Sequence, residues 1–126
     1  MTEGHNLRVL VADDERVIAE SLALLLCLSG FDARAAYNGL MAVETARNFR
    51  PDVLITDVVM PGMTGIEAAF RVREMLPSCK ILLFSGQTAK MDGFETARAR
   101  FLDFESLAKP VHPSELIARV RRSACA

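Results

Sequence analysis

The chain has 126 residues, enough for one compact domain and too few for two. Half of it is apolar (51%), so a sizeable core can form, while 15 basic against 16 acidic residues leave a net charge of −1 and argue against non-specific nucleic-acid binding. The N-terminal MTEGHNLRVLVADD lacks a signal-peptide pattern, the apolar run around Leu22–Leu28 is far shorter than the ~20 residues of a membrane span, and Cys27, Cys79 and Cys125 form no CxxC, so a soluble cytoplasmic protein with reduced thiols is expected.

No repeat, low-complexity tract or linker interrupts the chain. Arg8–Ala12 (RVLVA) reads as a buried strand. Glu15–Leu28 follows as a helix with Ile18, Leu22, Leu25 and Leu26 on one face, and Gly30 is its C-terminal stop. Phe31–Ala36 is a weaker strand. Asn38 is suited to cap a helix reaching about Asn48, and Pro51 ends the connection to a strongly apolar strand at Val53–Thr56. Helical periodicity over Gly65–Met75 runs through Ile66, Ala69, Phe70 and Val72 until Pro77, and Ile81–Phe84 is the next strand. Ala89–Arg100 is expected to be helical despite Gly93, which costs about 1 kcal/mol relative to Ala. A short strand at Glu105–Ala108 precedes a last helix after Pro113, with Leu116, Ile117 and Val120 as its apolar face.

Strands that are apolar on both faces and alternate with helices indicate a parallel sheet covered on each side, a doubly wound α/β domain. Its ligand site is expected beyond the carboxyl ends of the strands, where the winding reverses. The residues just after each strand are therefore the informative ones. Asp13-Asp14-Glu15 follows the first strand, Asp57 the third, Ser85-Gly86-Gln87 the fourth and Lys109-Pro110 the fifth. The second ends in Tyr37-Asn38, with nothing comparably reactive. Adjacent parallel strands lie ~4.8 Å apart, so Asp13, Asp14 and Asp57 converge if the first and third strands are neighbours. Crowded carboxylates resist ionisation unless a cation compensates, and hard oxygen ligands without His or Cys favour Mg²⁺. With Lys109 and the Ser85 hydroxyl at the same edge, the set suits the peripheral oxygens of a phosphoryl group, and Asp57 is placed as its acceptor. Each piece alone has an ordinary reading: an N-cap for Asp13-Asp14, turn chemistry for Asp57 and Ser85, a surface Lys-Pro. Four such pieces at four strand ends of one sheet edge favour the joint reading.

In this arrangement the sequence resembles a two-component response-regulator receiver domain. The resemblance rests on VLVADDE (Val9–Glu15), PDVLITDVVMPGMTG (Pro51–Gly65), ILLFSG (Ile81–Gly86) and LAKP (Leu107–Pro110), in order and over essentially the whole chain. It implies a single (βα)5 flavodoxin-like domain over residues 1–126, ordered over about 7–122, with strand order 2-1-3-4-5. It further implies that Asp57 accepts a phosphoryl group from the phosphohistidine of a histidine kinase or phosphotransfer protein. Asp13, Asp14 and Asp57 would hold Mg²⁺, with the backbone carbonyl of Val59 as a further ligand, while Ser85 and Lys109 would contact phosphoryl oxygens. A cis Lys109–Pro110 bond is expected on the same grounds. Such a domain is a signalling phosphoacceptor and no free-standing enzyme. It passes its signal to an output protein or domain, and itself touches neither nucleic acid nor membrane.

The sequence departs from the family pattern where receivers carry Tyr or Phe three residues before the lysine; here that residue is Ser106, with Phe101 and Phe104 nearby. Output without an aromatic rotation, through the surface of the 89–100 helix and the last strand, is the expectation that follows. Val59 and Gln87 occupy the family positions that tune phosphoryl lifetime, and neither is charged. On the first helix Leu24, Cys27 and Leu28 fall outside the main apolar face, as ordinary exposed apolar residues or as a partner or homodimer surface. The rival enzymatic reading, a haloacid-dehalogenase-like phosphatase, wants Asp-x-Asp after the first strand; here the Asp pair comes there and Asp57 is followed by Val58-Val59. No GxxxxGK[ST] or GxGxxG motif is present for nucleotide phosphates.

Overall fold

The computed structural model describes residues 6–85 and 104–125. Their order is β1 (Arg8–Ala12), α1 (Arg16–Leu28), β2 (Asp32–Ala36), α2 (Gly39–Phe49), β3 (Val53–Asp57), α3 (Gly65–Met75), β4 (Lys80–Ser85), β5 (Glu105–Ala108) and α4 (Pro113–Cys125). The helix expected at 89–100 lies outside the described residues. The expected strands recur within a residue or two at each end, and α3 and β5 have the expected bounds.

All strand pairings are parallel, in the order β2-β1-β3-β4-β5. Side chains alternate across each strand, which explains why β1, β3 and β4 read as unbroken apolar runs. Leu10, Ala12, Leu54, Ile81 and Leu83 point into a core shared with α2 and α3. Val9, Val11, Val53, Ile55, Leu82 and Phe84 point to the other side, against Leu26 of α1 and Leu116 and Val120 of α4. β2 is the exception: it forms one edge, and Asp32 and Arg34 are exposed.

Local chemistry sets the helix ends. The Asn38 side chain accepts from the Met41 N–H at 2.7 Å, as expected of an N-cap, and Thr64 does the same for Glu67 at 3.1 Å. Gly30 has φ +101°, just beyond the C-cap Ser29, where a left-handed residue ends a helix. Expectation and structure differ in α1, whose deepest line is Ala19, Ala23 and Leu26, with Ile18, Leu22 and Leu25 half-buried on its flanks. Small Ala19 and Ala23 let the helix approach the sheet closely, so Ile18, Leu22 and Leu25 end up at the sides, while Leu26 is fully buried as expected.

Gly65 has a stricter requirement. Its N–H donates to the Val58 carbonyl at 3.0 Å, and a Cβ at this position would lie 1.6 Å from the Asp57 carbonyl oxygen. The turn from β3 back into α3 closes only without a side chain there. Gly65→Ala should destabilise the fold by about 3 kcal/mol or more, since backbone must move rather than a flexible side-chain end. A shift of that size in the urea midpoint, at unchanged m-value, is the check.

Candidate functional site

The winding reverses between β1 and β3, which leave the sheet side by side. Their register pairs Ala12 with Thr56, so the next residues, Asp13 and Asp57, emerge together. One carboxylate oxygen from each of Asp13, Asp14 and Asp57 lies within 4.8 Å of the others. Asp13 is fully buried, Asp57 half-buried and Asp14 exposed. The three residues singled out from the sequence do form one cluster.

Lys109 completes it. Its Nζ lies 2.9 Å from Asp13 Oδ2 and 3.2 Å from Asp57 Oδ2. The β4–β5 register pairs Ser85 with Ala108, so the lysine begins one step past the strand and reaches back over β4. Phe84 carries it there, with Nζ 5.7 Å from the ring centroid. The Lys109–Pro110 peptide bond is cis, as the resemblance implies. Asp13 has a second partner: its Oδ1 accepts from the Glu15 N–H at 2.9 Å. The N-cap of α1 itself is Glu15, which makes no side-chain capping bond, so Asp13 serves the site and the chain turn rather than the helix end.

The electrostatics follow. Asp57 is held above the ordinary carboxylate range chiefly by burial; the Lys109 charge pulls it back, and Asp13 pushes it up again. For Lys109, burial alone would depress the ammonium, but its hydrogen bond to Asp13 and the charges of Asp57 and Asp13 outweigh that and raise it. The lysine is therefore fully charged at neutral pH. With effective permittivity near 20, two carboxylates at that separation repel by about 3 kcal/mol, which one ammonium cannot cancel for all three residues. A set of hard oxygen donors with net charge −2 and one exposed member, Asp14, fits a divalent cation.

Ser85 is the last residue of β4, the expected strand end, but its side chain lies outside the described residues, as does Gln87. Val59 is exposed two residues after Asp57. Ser106 is exposed on β5, and its carbonyl accepts from Arg119 Nη2 at 3.2 Å. Phe104 is buried instead, its ring 5.9 Å from that of Phe70 and 5.3 Å from the Arg73 guanidinium, while Phe101 is not among the described residues. Sequence reasoning passed over Phe84 as a support for Lys109 and Gly65 as the residue that lets α3 start against Asp57. The signal for the first was its place in the alternation of β4, one strand over from Asp57.

Comparison with known proteins agrees with this arrangement. The family model for the response regulator receiver domain matches residues 9–121. The DNA-binding response regulator MtrA of Mycobacterium tuberculosis is 34% identical over 117 residues, covering 90% of this chain and 49% of MtrA. The response regulator MprA of Mycobacterium ulcerans is 33% identical over 116 residues, 92% of this chain and 49% of MprA. The chain thus spans about half the length of the curated relatives it matches. Among solved structures, Vibrio cholerae chemotaxis protein CheY4 superposes with TM-score 0.83 at 27% identity, over 94% of this chain and 99% of its own. A response regulator receiver protein from Sinorhizobium medicae gives TM-score 0.83 at 27% identity, with 97% of each chain covered. With its acidic cluster at the β1–β3 reversal and its family match over nearly the full length, the chain belongs to the response regulator receiver domains of two-component systems.

Proposed function

We propose that Asp57 is the phosphoacceptor of this receiver and that a partner's phosphohistidine is the donor. The observation that carries the reading is Lys109 Nζ bridging Asp13 and Asp57 at 2.9 and 3.2 Å beside a third carboxylate. In the reaction an Asp57 carboxylate oxygen bonds to phosphorus, the P–N bond of the phosphohistidine breaks, and the imidazole leaves with the bonding electrons. Lys109 then has a phosphoryl oxygen within reach of the position Asp57 Oδ2 now occupies, and the Ser85 hydroxyl is assigned another. Asp13, fully buried and 2.9 Å from Lys109 Nζ, orients the lysine throughout.

Asp13, Asp14 and Asp57 would hold Mg²⁺, with the Val59 carbonyl as a further ligand. When bound, the ion offsets charge on the transferring oxygens. Beside Lys109 an apolar recess of about 250 Å³, lined by Ile18, Leu22, Phe84, Pro110 and Val111, suits an apolar side chain of the kinase or phosphotransfer partner. The domain acts as a cytoplasmic signalling module and not as an enzyme with turnover, and no described helix is long and apolar enough to cross a membrane. The whole protein's output is a further step; the MtrA relatives are DNA-binding response regulators, and their matched half resembles this chain.

Incubation with acetyl phosphate and Mg²⁺ should add about 80 Da, the mass of one PO₃ group, to the intact chain. Asp57→Asn should gain nothing, and an unmodified wild type would end the reading.

Because the folded state raises Asp57, the native protein binds a proton more tightly there than the unfolded chain does. The sign is then the reverse of an ordinary salt-bridged carboxylate: stability falls as pH rises from the usual Asp value through the raised one. Asp57→Asn should therefore be more stable than wild type at pH 7 in EDTA, with the gain disappearing below about pH 4. Mg²⁺ should stabilise wild type and leave the variant nearly unchanged, which thermal melts with and without the metal will show.

We further propose that output does not use an aromatic rotation at position 106. Phe104 is held in the core and Ser106 is tied through its carbonyl to Arg119. Partner affinity measured with and without a phosphate analogue should shift in wild type as much as in Ser106→Tyr; a shift appearing only with the tyrosine would restore the conventional switch.

A further inference from the structure

The sheet ends at β2, and no described strand or helix pairs with the outer side of that strand. In a parallel ladder, successive residues turn their N–H and C=O groups alternately toward and away from the neighbour. The Asp32 N–H donates to the Leu7 carbonyl at 2.8 Å and the Ala36 carbonyl accepts from Asp13 at 3.1 Å. Asp32, Arg34 and Ala36 therefore face β1, while Ala33 and Ala35 present their backbone groups outward. The contact seen there is the Cys27 thiol donating weakly to the Ala33 carbonyl at 3.5 Å.

Natural edges are usually blocked by proline, a bulge or like charges such as lysines. The strand DARAA has no proline, and its exposed charges are of opposite sign, two residues apart. Two such strands running antiparallel about Ala33 put Asp32 of each copy opposite Arg34 of the other, with the two Ala33 residues exchanging backbone hydrogen bonds. A row of like charges would repel a second copy. This pattern attracts one.

The helix above the same edge agrees. Arg16 stacks over Tyr37 at 4.1 Å, the Tyr37 hydroxyl donates to Glu20, and Cys27 reaches Ala33. Positions 16, 20 and 27 thus mark the β2 side of α1, and Leu24 falls on their line at helical spacing. Leu24 is 60% exposed and its neighbour Leu28 77%. Extending the sheet through two β2 strands sets the two α1 helices about two strand spacings apart, ~10 Å, the separation at which helices pack.

We propose that this face binds a second copy of the chain. The two-fold dimer has an antiparallel β2–β2 junction, reciprocal Asp32–Arg34 pairs, and the α1 helices in contact through Leu24 and Leu28. This holds whether or not Asp57 is phosphorylated, because it uses none of the residues of that site.

Sedimentation equilibrium over a concentration series at low salt tests it. The wild-type mass should climb from 13.8 kDa toward twice that value. Arg34→Asp should weaken association about tenfold, two attractive pairs having become repulsive, and Leu24→Glu should weaken it as well. Arg34 also stacks on Phe49 at 4.4 Å, so the deciding variant is the swap of Asp32→Arg with Arg34→Asp, which should restore association. In a Cys125→Ser background, a short bismaleimide should join two chains through Cys27. A wild type that stays monomeric, a swap no better than Arg34→Asp, equal association of all variants, or a dimer that resists the Cys27 cross-link each overturns the proposal.

Discussion

A single ammonium group, Lys109 Nζ, lies between the carboxylates of Asp13 and Asp57. Residues from three separate strand ends meet there, and without it two carboxylates at the edge of a buried sheet would repel one another with nothing between them. The ion pair is partly buried, so solvent screens it less than a surface pair. It is also incomplete. Asp14 adds a third negative charge that the lysine does not reach, and that excess is what would draw a cation to the cluster.

The rest of the fold can be read as the means of keeping that group in place. β1 and β3 are buried on both faces, which prevents a slip of register that would carry Asp13 away from Asp57. Gly65 brings α3 against the end of β3, and Thr64 caps that helix at its first turn. Phe84 floors the path of the lysine. Asp13, with no exposed surface, accepts from both Lys109 and the Glu15 N–H, as a buried carboxylate must. Asp13 on the sheet side has no exposed surface while Asp14 on the solvent side is exposed, so the cluster is open from outside at that one carboxylate.

The far end of the sheet is built differently. On β5, Glu105 and the Ser106 carbonyl are both bound by Arg119 of α4, and Phe104 is packed beneath with Phe70. A small exposed serine in this position has no ring to swing between solvent and core. At the opposite edge, β2 is short and bears Asp32 and Arg34, with α1 above it carrying exposed leucines. One sheet thus has an edge tethered to α4 and an opposite edge bearing charges of both signs beside exposed leucines of α1.

Much of this was legible before any coordinates. Apolar runs of four or five residues bounded by Asp, Gly and Pro named the strands, because a strand buried on both faces has no polar position to spare. The winding rule then placed Asp13, Asp14, Asp57 and Lys109 at one edge, where the structure brings them together. What the sequence could not show was contact. That Lys109 bridges two aspartates rather than one and that Phe84 supports it depend on how strands far apart in the chain are set beside each other, and that Gly65 lies where a methyl group would strike the Asp57 carbonyl depends on the path the turn takes from β3 back into α3. The helical period of α1 marked Leu22 and Leu25 as core, yet Ala19 and Ala23 took the deepest places, since only packing against the sheet decides which residues of a helix stripe must be small. Likewise the charges of Asp32 and Arg34 are plain in the chain, but that they flank an unpaired edge follows from the order of strands. Local pattern determines the elements and the chemistry they carry; the long-range pairing of strands determines which of those groups touch.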